Sequence, residues 1–119
     1  MVGDAFGFLD PIYSSGVFLA LKSGEWAADA IAAGLAAGDV SAARLGGFGE
    51  EYLKGMEAVR KLVYAFYTQE FSFAQFLSAH PECKQGLVDI LSGNIFAERA
   101  QQIFAPMAAM CRLPENSTY

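Results

Sequence analysis

Between Val2 and Leu21 the chain gathers the residue types best suited to holding a ligand: Gly3-Asp4, Asp10-Pro11, and Ser14-Ser15-Gly16-Val17 at the start of a long apolar segment. Asp4 offers a carboxylate on a small-residue turn, an acceptor for ligand hydroxyls. Ser14-Ser15-Gly16 reads as a loop feeding a helix N-terminus, where the first backbone N–H groups have no intrahelical acceptor. Those amides and the positive end of the helix dipole favour an anion or a delocalised negative charge. Gly16 has no Cβ, so a flat ligand could lie against the backbone there. The residues alone support an anion or cofactor cradle. A turn followed by a simple N-cap is the plain structural alternative.

The run Gly3-Asp-Ala-Phe-Gly-Phe-Leu-Asp-Pro-Ile-Tyr-Ser-Ser-Gly-Val17 resembles the second FAD-contacting motif of flavin-dependent monooxygenase-type proteins. It is most similar to flavin-dependent halogenases of the phenol- and pyrrole-acting kind, then to geranylgeranyl-reductase-like oxidoreductases. The resemblance implies that Asp4 binds ribityl or ribose hydroxyls. It also implies that Gly3, Pro11 and Ser14 are cofactor-binding positions, and that Ser15, Gly16 and Val17 are flavin-edge and possible chloride positions. The Phe-rich run from Phe66 to Phe96 resembles the helical C-terminal region of the same proteins.

Several family features are missing. No Gly-x-Gly-x-x-Gly follows a strand, so no loop can cradle an ADP pyrophosphate in that way. The lysine-bearing motif of halogenases is absent too. Tyr13 stands where tryptophan-acting halogenases carry a catalytic glutamate, which argues against that activity, and Phe18 stands where many relatives have histidine. The chain therefore reads as the C-terminal fragment of a larger α/β flavoprotein whose N-terminal nucleotide-binding half is missing.

The elements that must position these residues are helical. The expected fold is all-α: four or five helices in an irregular bundle, preceded by a strand stub at Met1 to Gly3. The division expected is a FAD-contacting loop over 1–16, a helical domain over 17–113 and a frayed tail over 114–119. Helix one is expected over Val17 to Ala37, ending at Gly38, with only Lys22, Glu25 and Asp29 as a polar stripe. Gly24 suggests a close crossing.

The strongest periodic signal predicts helix two from Ser41 to Gln69, its inner face running Leu45, Phe48, Tyr52, Met56, Val59, Val63, Phe66. Glu50–Lys54 and Glu57–Lys61 mark its wet face as i,i+4 pairs. Phe71 to Ala79 forms a short helix capped by Ser72 and ended by His80-Pro81. Pro81 to Leu91 forms another, and Ile95 to Arg112 a last one kinked at Pro106.

A chain of 119 residues with net charge −5 has room for one core and no basic face for nucleic acid. Acidic balance disfavours anionic membranes, and charges interrupt every apolar stretch before the ~20 residues a span requires. Cys83 and Cys111 show no paired spacing, and no signal peptide precedes them, so a reducing cytoplasm is expected. His80 and Cys83 alone do not make a metal site. Asn116-Ser117-Thr118 matches a glycosylation acceptor, which carries little meaning without secretion. Phe66, Phe71, Phe73, Phe76 and Phe96 read as core before substrate pocket.

Two functions follow. One is a part of a FAD-dependent oxidoreductase, halogenase-like, acting on a small hydrophobic or aromatic substrate through reduced-flavin oxygen chemistry, with no catalytic residue identified. The other is a non-enzymatic helical module that binds a partner protein or a hydrophobic ligand. Taken alone, the chain is expected to be inactive and to bind no FAD, and the uncovered face of helix one is expected to give a homo-oligomer or a rearranged helix one.

Overall fold

A computed structural model describes residues 1–116. Residues 117–119, with most of the Asn116-Ser117-Thr118 acceptor and the end of the expected tail, lie outside it. The chain is all-helical, and among the described residues there is no strand. No helix is long and apolar enough to cross a membrane. Contacts divide it into two compact units, Met1–Leu53 and Lys54–Tyr119.

The first unit is built on helix α1, Gly16–Ala37. Its Ala- and Leu-rich sequence holds helix until Gly38 takes φ +67°, and Asp39 N–H bonds back to the Gly34 carbonyl. The expected strand stub is absent. Gly3–Ala5 instead forms one 3-10 turn, with Gly3 at φ +60°. A lone extended segment has no ladder partner, and the Gly3 N–H goes to the Ser23 hydroxyl of α1. Gly24 marks no close crossing, since a Cβ there would meet nothing within 4 Å.

The single helix predicted from Ser41 is two. Ser41 caps α2, Ala42–Leu45, by accepting the Arg44 N–H, and Gly46-Gly47 then break the helix before α3, Gly49–Tyr67. The predicted inner face holds from Tyr52 through Met56 and Val59 to Val63, all buried, but Phe66 is exposed.

The second unit holds the rest of α3 and the remaining helices. Ser72 caps α4, Phe73–Ala79, as the sequence indicates. Pro81–Cys83 is a 3-10 turn running into α5, Lys84–Leu91. The last predicted helix is broken into α6, Glu98–Gln102, and α7, Phe104–Ala108. Pro106 explains the break. It has no N–H for the Gln102 carbonyl and its ring crowds that turn, so the discontinuity falls at Ile103 and not at the proline itself. Gly86 lets α5 and α6 approach, for a Cβ there would sit 2.4 Å from the Arg99 carbonyl oxygen.

Glu57 does not lie on a wet face. It is 5% exposed and takes a forked pair from Arg60, while Lys61 sits 5.5 Å over the Phe104 ring. Phe76 is fully buried, flanked by Phe71 at 5.8 Å, which fits the core reading of the Phe cluster there.

Candidate functional site

One hydrogen bond ties the N-terminal turn to α1, and two further polar contacts steady its surroundings inside an otherwise apolar layer. Gly3 N–H donates to Ser23 Oγ at 2.8 Å, and Ser23 Oγ–H donates to the Ala20 carbonyl at 2.9 Å. Tyr52 O–H donates to the Leu19 carbonyl at 3.0 Å. Ser23 and Tyr52 are both fully buried. Phe6 meets the Tyr52 ring edge-on at 4.9 Å, and Trp26 does so at 6.4 Å. A buried hydroxyl without a partner costs about 1–3 kcal/mol, so each of these groups holds its partner in place.

This tether puts Asp4 beside the start of α1. Asp4, Phe8, Leu9, Gly16, Val17 and Ala20 line one pocket of about 420 Å³. That volume lies within the roughly 300–1,000 Å³ usual for organic ligands. At Gly16 a Cβ would find open space, so the backbone is bare toward the pocket. The first amides of α1 have no acceptor within the helix, and its 22 residues present a full dipole at that end.

Ser15 occupies the N-cap position, but its hydroxyl caps nothing. Ser15 Oγ is buried and has no hydrogen-bond partner among the described residues. Ser14 precedes it at φ 52°, left-handed for a non-glycine residue, a conformation that costs on the order of 1–3 kcal/mol. Strain and an orphaned hydroxyl thus fall on adjacent residues at one helix mouth.

Of the predicted site residues, Asp4, Gly16 and Val17 share the pocket. Gly3 anchors its rim, and Ser14 and Ser15 form the approach to α1. Pro11 opens a separate 3-10 turn, Pro11–Tyr13, where Ile12 N–H bonds to Asp10 Oδ1 at 3.2 Å. The Pro11 side chain lies outside the described residues, and Tyr13 is not among the residues lining the pocket. Burial raises the Tyr13 phenol above its ordinary value of 10.0, so it is protonated at neutral pH.

Phe8, Leu9 and Ala20 were not anticipated as lining residues, nor Ser23 and Tyr52 as supports. The signal for Ser23 was present: one serine within an apolar helix face needs a partner. His80 and Glu82 pair at 3.1 Å in the second unit, and no group of three metal-ligating side chains exists among the described residues.

Over residues 1–106 the chain matches the protein-family model described as tryptophan halogenase. No curated protein and no solved structure matches it. A match across so much of the sequence, on a chain whose helix mouth carries the motif, assigns the family: this chain belongs to the flavin-dependent tryptophan halogenase family.

Proposed function

We propose that this chain supplies the flavin-edge loop and helical lid of a FAD-dependent oxidoreductase of the halogenase or monooxygenase kind. One observation carries the reading: Asp4 and Gly16–Val17 line a single pocket at the mouth of α1, next to a buried Ser15 hydroxyl with no partner. The residues fit the cofactor chemically. Asp4 accepts hydrogen bonds from sugar or ribityl hydroxyls. The Gly16 and Val17 amides donate to an electron-rich ring edge, and bare backbone at Gly16 leaves room for a flat ring.

When bound and reduced, the flavin would supply oxygen chemistry, and halide oxidation if chloride occupies the amide-lined loop. The residues of this chain bind, orient and stabilise negative charge through the α1 dipole. A small hydrophobic or aromatic substrate other than tryptophan suits Tyr13, whose half-buried neutral phenol cannot act as a carboxylate does. The pyrophosphate-binding loop would come from a nucleotide-binding half outside these residues. The exposed α1 face carrying Val17, Leu21, Ile31 and Leu35 would pack against that half.

The test is cofactor retention when the chain is produced together with such a half. FAD should copurify, Asp4→Ala should lose most of it, and Gly16→Val should lose it by filling the ring space. Undiminished flavin absorbance in both variants would refute the assignment. The second reading, a non-enzymatic helical module, rests on the same exposed α1 face and predicts partner binding indifferent to Asp4.

A further inference from the structure

Val17, Leu21, Gly24, Ala28, Ile31 and Leu35 form one apolar seam along α1, spaced as side chains are when two helices interlock. Val17, Leu21, Ile31 and Leu35 are exposed, whereas Leu19 and Ser23 on the opposite side are buried. By size the seam reads the same from either end. Counted outward from the level of Trp26, Gly24 answers Ala28, Leu21 answers Ile31, and Val17 answers Leu35. Two copies laid antiparallel, with a two-fold axis at that level, set large side chains on large and small on small throughout. Gly24 and Ala28 then let the two backbones approach at the centre.

Charge favours the same direction. Lys22 and Asp29 flank the seam on one side and lie nearly equidistant from the axis. Antiparallel pairing brings Lys22 of one copy level with Asp29 of the other, which helps to fix register. Glu25 shares that flank and is held by Lys22 at 2.8 Å, so it carries its own counter-charge to the axis. A parallel pair sets Lys22 level with Lys22 and aligns the two α1 dipoles unfavourably. The seam is about 27 Å long. Two helices meeting over that length bury on the order of 1,000 Å² in total, the lower end of specific interfaces, which suits a reversible dimer.

The pairing also reaches the Asp4 pocket. Val17 lines that pocket, and Phe8 lines it too and is exposed. We propose that the 119-residue chain pairs with a second copy along this seam, antiparallel, and that the second copy's Leu35 lies over Val17 and closes the pocket mouth. A nucleotide-binding half would cover the same seam, so self-pairing and assembly with such a half exclude each other. The pairing does not require that the pocket hold a flavin, and its test involves none.

Isotopically labelled and unlabelled chains are mixed in equal amounts, and NOEs between copies are selected by isotope filtering. Val17 and Leu35 are about 27 Å apart within one α1, so any methyl NOE between them crosses from copy to copy. We expect that NOE, and one between Leu21 and Ile31. Sedimentation velocity supplies a complementation test. Leu21→Lys and Ile31→Glu fall at exposed positions, and circular dichroism should show parental helicity in both. Each alone should dimerise at least about tenfold more weakly than the parent chain. Their mixture should dimerise more tightly than either, because positions 21 and 31 face each other only in the antiparallel pair. A monomeric parent chain at tens of micromolar would overturn the proposal. So would NOEs from Val17 to Val17 in place of Leu35, or a mixture no tighter than the single variants.

Discussion

Ser23 Oγ, buried on α1, receives the Gly3 N–H at 2.8 Å and so fixes the turn that carries Asp4. Twenty residues of separation are closed by one hydrogen bond whose acceptor is itself oriented by donation to Ala20. Ser23→Ala removes the acceptor and leaves the Gly3 amide to find water at a packed surface. We expect a loss of about 1–3 kcal/mol in chemical denaturation, with faster hydrogen exchange at Gly3 than at the amides of α5. Stability and exchange both equal to the parent chain would show that the turn is held by something else.

Two glycines in helices give opposite signs. Gly24 lies inside α1 with open space around a would-be Cβ, so Gly24→Ala should stabilise by about 0.5–1 kcal/mol through helix propensity. Gly86 lies inside α5, where a Cβ would approach the Arg99 carbonyl oxygen to 2.4 Å and Ile103 Cγ2 to 2.5 Å. Backbone cannot yield as a side-chain tip does. Gly86→Ala should therefore destabilise, overpacking of about 1–3 kcal/mol outweighing the propensity gain. Thermal melts of both variants check the pair, and a shared sign would contradict the account.

On α1, Val17, Leu21, Gly24, Ala28, Ile31 and Leu35 step alternately by four and three residues. Val17 and Leu21 remain 73% and 71% exposed, and Leu35 66%. Apolar seams of that spacing suit another helix. Sedimentation velocity of the chain by itself should show a homo-oligomer at tens of micromolar, and Leu21→Gln with Leu35→Gln should shift it to monomer. A monodisperse parent monomer would count against this face being sticky.

Periodicity made the helices legible, because the Tyr52–Val63 stripe and the Ser72 and Gly38 caps are local signals. Breaks were harder. The Gly46-Gly47 interruption and the effect of Pro106 three residues upstream depend on whether packing can hold a weakened turn. Asp4, Gly16 and Val17 were readable as ligand-binding residue types, and their convergence in one pocket was not. That convergence depends on Ser23 and Tyr52, whose partners lie 20 and 33 residues away. Glu57 likewise looked solvated at i,i+4 spacing until Arg60 claimed it one residue earlier.

Alkaline pH should loosen the fold through Tyr52. Burial raises its phenol above the ordinary 10.0, the Ser23 hydroxyl opposes this, and the Asp4 charge reinforces it. The folded chain therefore keeps a proton that the unfolded chain releases near its ordinary value. Below that value both states are protonated and Tyr52 adds no pH dependence. Above it the folded state binds more protons, so stability falls as pH rises. Tyr13, Cys83 and Cys111 are raised by burial as well and act in the same direction. Tyr52→Phe should shrink the slope of stability against pH between about pH 9 and 11 without abolishing it. It should also cost about 1 kcal/mol at neutral pH, where the Leu19 carbonyl loses its phenol donor. Denaturation midpoints across that range, with tyrosinate absorbance as a second readout, decide the matter: an undiminished slope in the variant would mean that Tyr52 titrates like a solvated phenol.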